Sequence, residues 1–145
     1  MTHNQPDILI LNGPNLNLLG QREPEIYGHQ TLAELDAACL ARAQQHGKQA
    51  ECRQTNDEGT LIEWVQQATA PAMIINAAAY THTSVALHDA LKNYSGRLVE
   101  VHLSNPHARE PFRHHSYLSP LAEAILCGMG ARGYLAAIDY VCAGS

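Results

Sequence analysis

The 145-residue chain has no apolar run near the roughly 20 residues that a membrane helix needs, and its start carries neither a basic stretch nor a greasy one. That pattern predicts a soluble, cytoplasmic, unexported protein. Basic residues are scarce too. Nine Lys and Arg stand against fourteen Asp and Glu, a net charge of -5, which argues against nucleic acid as a partner. Cysteine is limited to positions 39, 52, 127 and 142, with no C-x-x-C pair, and three of the four fall inside apolar segments, so they read as reduced core residues. The G-x-x-x-x-G-K-[ST], G-x-G-x-x-G and G-x-S-x-G motifs are all missing, as are internal repeats, linkers and low-complexity tracts. Neither a standard nucleotide cradle nor a hydrolase elbow is written here, so the chemistry falls to side chains.

What is present is apolar mass and alternation. Hydrophobic residues make up 46% of the chain, enough to build one core, and the length predicts a single domain over 1–145. Residues 8–11 form a continuously apolar run ending at Asn12, the pattern of a strand buried on both faces. Thr31 and Glu34 have capping-box spacing ahead of Leu32, Leu35, Cys39 and Ala43, and Gly47 stops that helix. Residues 49–54 predict a half-polar outer strand, and a second capping box over 55–58 precedes Leu61, Ile62, Val65 and Ala68. Residues 72–75 predict a buried strand, then a helix capped by Thr83 or Ser84 and running through Val85, Leu87, Leu91 and Tyr94. Residues 98–102 are a fourth strand. After a long polar stretch, residues 124–127 form a fifth strand, with 121–126 also readable as a helical turn, and a helix runs from about 132 to 141. The alternation predicts an α/β fold with a parallel sheet wrapped by helices on both sides.

In such a sheet ligands bind beyond the carboxyl ends of the strands. Here those ends are polar: Asn12 with Asn15 close behind, Asn76, and His102 followed by Ser104 and Asn105. An asparagine at a strand end is often only a turn former, but three strands delivering polar groups to one rim point to a site. Glu100 and His102 are two apart in a strand, so their side chains leave the same face, and a carboxylate beside an imidazole prepares a general acid. The residues between Gly13 and Gly28 exceed the usual βα connection and read as a lid, with Gly20 and Gly28 bracketing Arg22 and Tyr27. A phenol near a guanidinium can serve as a base once the cation favours phenolate, although alone such a pair would read as surface residues. Residues 102–115 hold four of the nine histidines and two arginines, Arg109 and Arg113, which suggests a positive pocket for a carboxylate. Zinc is the competing reading of that stretch, without the H-E-x-x-H arrangement to support it. A binding module of flavodoxin type, taking flavin or phosphate without catalysis, is a further alternative.

Four strings, Leu11-Asn-Gly-Pro-Asn-Leu-Asn-Leu-Leu-Gly20, Arg22-Glu-Pro-Glu-Ile-Tyr-Gly28, Asn76-Ala-Ala-Ala-Tyr-Thr-His-Thr-Ser84 and Glu100-Val-His-Leu-Ser-Asn105 with His107-Ala-Arg-Glu110, closely resemble type II 3-dehydroquinate dehydratase. The likeness runs from the first strand to the last helix. It implies a flavodoxin-like three-layer α/β fold with a five-stranded parallel sheet in the order 2-1-3-4-5. It also implies a shikimate-pathway hydro-lyase that converts 3-dehydroquinate to 3-dehydroshikimate through an enolate, without metal or cofactor. Carried over residue by residue, the resemblance implies Tyr27 as base, tuned by Arg22, and His102 as acid with Glu100 as its partner. Asn15 matches the holder of the enolate-stabilising water. Substrate contacts fall on Asn76, His82, Asp89, Leu103, Ser104 and Arg113, with Leu103 and Ser104 holding the carboxylate. The resemblance further implies a dodecamer of trimers in which Asp89 reaches a neighbouring site. One departure is visible: many relatives carry Arg where His88 stands, which puts a charged contact near the subunit interface in doubt.

Overall fold

The computed structural model describes residues 5–21 and 23–143, and of Tyr27 the backbone alone. Five strands, β1 (Ile8–Asn12), β2 (Ala50–Gln54), β3 (Ala72–Asn76), β4 (Arg97–His102) and β5 (Ala124–Cys127), pair in parallel in the order β2-β1-β3-β4-β5. This is the order expected. The helices are α1 (Pro24–Tyr27), α2 (Leu32–Gln45), α3 (Glu58–Gln67), α4 (Val85–Lys92) and α5 (Ala131–Cys142).

Strand parity explains the three layers. Ile8 and Ile10 of β1, Ile74 of β3, and Val99 and Val101 of β4 pack with Leu35, Cys39 and Ala43 of α2 and Tyr134, Ala137 and Ile138 of α5. The intervening Leu9, Leu11, Met73, Ile75 and Leu98 pack on the other face with Leu61 and Val65 of α3 and Leu87 and Leu91 of α4. β1 and β3 are buried throughout, whereas β2 is half-buried along its length, as an outer strand should be. Burying side chains of this size stabilises the fold by roughly 1.5–3 kcal/mol each before entropy is counted.

Most boundaries match the sequence reading, and the differences have local causes. Thr31 caps α2 in a complete capping box with Glu34. α3 is different: its cap is Asp57, whose carboxylate accepts from Thr60 N–H, while Thr55 Oγ1 accepts from Asp57 N–H. A carboxylate two residues closer to the helix outcompetes the threonine expected there. Ser84 rather than Thr83 caps α4, accepting from Leu87 N–H at 2.9 Å. Residues 124–127 are a strand, preceded by a single 3-10 turn, Ser119–Leu121. The segment between β1 and α2 is partly helical, with a 3-10 turn at Leu16–Leu18 and then α1. Of the four cysteines only Cys39 is buried; Cys52, Cys127 and Cys142 are half-buried, and none is in a disulfide. Cys52 and Cys127 lie on the incompletely covered edge strands β2 and β5, and Cys142 is the last residue of α5, so these three lie at the margin of the core rather than within it.

Candidate active site

β1 and β3 are in register so that Asn12 lies opposite Asn76, and β4 places Glu100 opposite Ile75, with His102 beyond. The strand ends therefore share one rim. Against it lies a cavity of about 150 Å³ whose walls include Asn15, Asn76, His82, His102, Leu103, Ser104, Arg109 and Arg113. Seven of the residues expected at the site are thus brought together: Asn15, Asn76, His82, His102, Leu103, Ser104 and Arg113. No carboxylate contributes to these walls among the described residues, so the space suits an anion.

The approach to this rim depends on Gly13. A Cβ there would stand 2.5 Å from the Ala77 carbonyl oxygen, so only glycine lets the turn after β1 pass the turn after β3. Asn15 follows in the left-handed region, φ 71°, a conformation asparagine tolerates better than most residues. Its backbone N–H donates to Asn56 Oδ1 at 2.9 Å, and Gln54 Nε2 donates both to that same oxygen and to the Gly13 carbonyl.

Glu100 is 1% exposed and shares its face of β4 with His102, as parity requires. His102 Nε2 donates to Glu100 Oε2 at 2.5 Å, Ser116 Oγ donates to the same oxygen at 2.9 Å, and Ser119 Oγ donates to Oε1 at 2.5 Å. Burial pushes the Glu100 carboxyl up, but the bonds from His102, Ser119 and Ser116 outweigh it and hold the group below its ordinary value. The carboxylate is therefore an ionised acceptor inside the protein. It fixes which imidazole nitrogen is occupied and leaves Nδ1 without a protein partner among the described residues.

His82 is oriented in the opposite sense. Its Nδ1–H donates to the His115 carbonyl at 2.8 Å, because a carbonyl can only accept. Burial, with the nearby charges of His102 and Arg113, lowers its pKa, opposed by the bond to His115. A neutral His82 then carries its lone pair on Nε2, an acceptor for a substrate hydroxyl. The His82 and His102 rings stack with centroids 6.2 Å apart.

Behind β1 and β3 a neutral network completes the rim. Tyr134 of α5, fully buried, donates its hydroxyl to Asn12 Oδ1 at 2.5 Å and accepts from Asn76 Nδ2 at 3.0 Å, while Asn76 Oδ1 accepts from Ala78 N–H. Asn76 keeps a second amide hydrogen for the cavity. Asn12 does not reach the cavity walls: its side chain is buried and its Oδ1 is taken by the Tyr134 hydroxyl.

Other expected residues stand apart. Glu100 is screened from this cavity by His102 and instead borders a larger neighbouring one of about 530 Å³. Asp89 is exposed on α4 and is not among the walls of either cavity. Arg22 and the Tyr27 side chain lie outside the described residues. His88 donates from Nδ1 to the Tyr117 carbonyl at 2.6 Å, so it ties α4 to the loop before β5 within its own chain. The sequence reading gave no role to Ser116, Ser119, Tyr134, Asn56 or, beyond the general positive charge of its stretch, Arg109. Arg109 Nη1 donates to Ser104 Oγ at 3.3 Å, and only its place between His102 and Arg113 hinted at this.

Among the described residues no three His, Cys, Asp or Glu side chains converge as a metal site would require. No described helix is long and apolar enough to cross a membrane.

The family model for "Dehydroquinase class II" matches residues 6–142. The chain belongs to the class II dehydroquinases. It is 54% identical over 138 residues to the 3-dehydroquinate dehydratase of Variovorax paradoxus, covering 90% of this chain and 94% of that one. The 3-dehydroquinate dehydratase of Streptomyces coelicolor is 52% identical over 139 residues, covering 94% and 88%. Among solved structures, the type II dehydroquinase from Propionibacterium acnes superposes with a TM-score of 0.93 at 39% identity, covering 99% of this chain and 100% of that one. For a class II dehydroquinase the fold and the cavity are in their expected relation: the polar ends of β1, β3 and β4 meet where the sheet order reverses.

Proposed function

We propose that 3-dehydroquinate binds in the cavity walled by Asn15, Asn76, His82, His102, Leu103, Ser104 and Arg113, and loses water there. The reaction is that of a hydro-lyase of the shikimate pathway, giving 3-dehydroshikimate. Supporting this placement above all is the buried Glu100–His102 pair, an oriented imidazole facing a space without carboxylates.

In this reading Tyr27, ionised beside Arg22, removes a proton from the carbon next to the ketone, and its electron pair forms an enolate. Reforming the ketone expels the C1 hydroxyl, which takes a proton from His102 and leaves as water, so the carbon framework gains a double bond conjugated to the carbonyl. His102, carrying a proton on each ring nitrogen, gives up the one on Nδ1, because the Nε2 hydrogen is held by Glu100. Asn15 holds the water that stabilises the enolate oxygen, the backbone N–H groups of Leu103 and Ser104 with the serine hydroxyl take the carboxylate, and Asn76, His82 and Arg113 take the remaining oxygens. Asp89, exposed on α4, contributes only through a neighbouring copy, which fits a dodecamer of trimers built from one-domain cytoplasmic chains.

The decisive experiment follows the absorbance of the conjugated enone. Wild-type protein should produce it from 3-dehydroquinate, and Tyr27→Phe should lower kcat by at least ~100-fold, the usual scale for a positioned base. Near-normal turnover in that variant overturns the assignment.

A further inference from the structure

Glu100 is the acceptor that orients the acid, and its own orientation is set from outside β4, by two hydroxyls of the loop that precedes β5. Ser116 Oγ accepts the backbone N–H groups of Leu118 at 3.0 Å and Ser119 at 3.1 Å. With both lone pairs engaged, its one hydrogen is committed to Glu100 Oε2, which lies 2.9 Å away. Ser119 Oγ covers the other carboxylate oxygen, Oε1. The two serines therefore grip opposite oxygens, and the carboxylate plane cannot turn without breaking one of these bonds. Neither serine is a wall of the substrate cavity; both face the larger one behind His102.

Resting on the reading of His102 as the acid, we propose that Ser119 and Ser116 are positioning residues for catalysis: together they lock Glu100 as the acceptor for His102 Nε2, so that Nδ1 is the nitrogen presented to the leaving hydroxyl. The charged and titratable groups around this carboxylate are His102 on its own strand, His82 from the turn after β3, His107, Arg113, His114 and His115 from the loop after β4, and Cys127 of β5. Of these, only His102 bonds it directly. Without the serine donors only His102 is left to hold the buried carboxylate ionised against the cost of burial. A protonated Glu100 would present its own hydrogen to Nε2 instead of accepting one from it.

The test is Ser119→Ala, which deletes the bond to Oε1 and leaves the Ser119 backbone N–H on Ser116. Steady-state kinetics across pH should show kcat lowered about tenfold, the scale of one charge-assisted hydrogen bond, with KM within about twofold. The acid limb of the kcat profile should move to higher pH, and Ser119→Thr, which keeps a hydroxyl, should restore both. Unchanged kcat, a lower kcat with the acid limb unmoved, or no rescue by threonine overturns the proposal. Should the alanine variant not fold, Ser116→Ala, which deletes the donor to Oε2, takes its place: a lowered kcat with the same displacement of the acid limb supports the clamp, and an unchanged profile overturns it. Wild-type turnover is measured in parallel. If it is missing, the functional reading itself fails, whereas an active wild type with an insensitive Ser119→Ala refutes the clamp alone.

Discussion

The rim of the cavity is built from both faces of one sheet, and the two faces handle polarity differently. On the α5 side, Asn12 and Asn76 converge on Tyr134, and every group in that network is neutral. On the other side, Glu100, His102, Ser116 and Ser119 surround a buried negative charge. A neutral network holds the same geometry at any ordinary pH. The charged one holds its geometry only while Glu100 is ionised, and in return it can present and reload a proton. In the proposed reaction, the difference separates holding substrate from moving protons.

Three substitutions would break or sharpen that contrast. The largest effect should come from Glu100→Gln, which keeps the shape but removes the charge opposite Nε2. We expect kcat to fall by ~100-fold, as for loss of general acid function, in the enone assay. The same variant should lose an acid-side stability dependence. Because the folded Glu100 titrates below its ordinary 4.5, it stabilises the fold above that value, and this contribution disappears as pH falls through the folded value. Urea titrations at successive pH values should therefore show a shallower decline below pH 4.5 in Glu100→Gln than in the wild type.

Tyr134→Phe attacks the neutral face. It leaves Asn12 Oδ1 and Asn76 Nδ2 without their shared partner, at a cost of roughly 1–3 kcal/mol for each buried group in urea unfolding. Its kcat should fall without any displacement of the pH profile. A shifted profile would mean that the two faces are electrostatically coupled and the comparison is wrong.

The smallest effect belongs to His82. Its folded form titrates below 6.5, so below that pH the unfolded chain binds a proton that the folded chain does not, and stability rises as pH approaches 6.5. Thermal melts of His82→Gln should lack that rise.

How far the site was legible in the sequence follows the range of the interactions involved. Glu100 and His102 are two residues apart on one strand, and the parity of a strand alone puts them together. Asn76, His82, Ser104 and Arg113 were legible as polar residues following apolar strands, since strand ends gather at one rim. Ser116 and Ser119 carried no such signal, because nothing local says that a loop 16 residues downstream folds back onto β4. Tyr134 is a core aromatic in its own helix and becomes a site residue only through partners 58 and 122 residues away. Asn12 shows the reverse error: its position at a strand end suggested the cavity, but its side chain is buried against Tyr134, short of the walls.

Periodicity and the turn residues were enough to determine four strands, the main helices between them and a parallel sheet, since burial, capping and right-handed crossovers act through local pattern, while the fifth segment stayed open between strand and helical turn and the strand order came with the motif strings. The motif strings were enough to determine the family. What only the tertiary structure decided is which hydrogen bonds each polar group makes: that Glu100 takes two serine hydroxyls, that His82 spends Nδ1 on a carbonyl while His102 spends Nε2 on a carboxylate. Such bonds join segments distant in the chain within a few ångströms of tolerance, and their donors and acceptors meet only after the layers have packed.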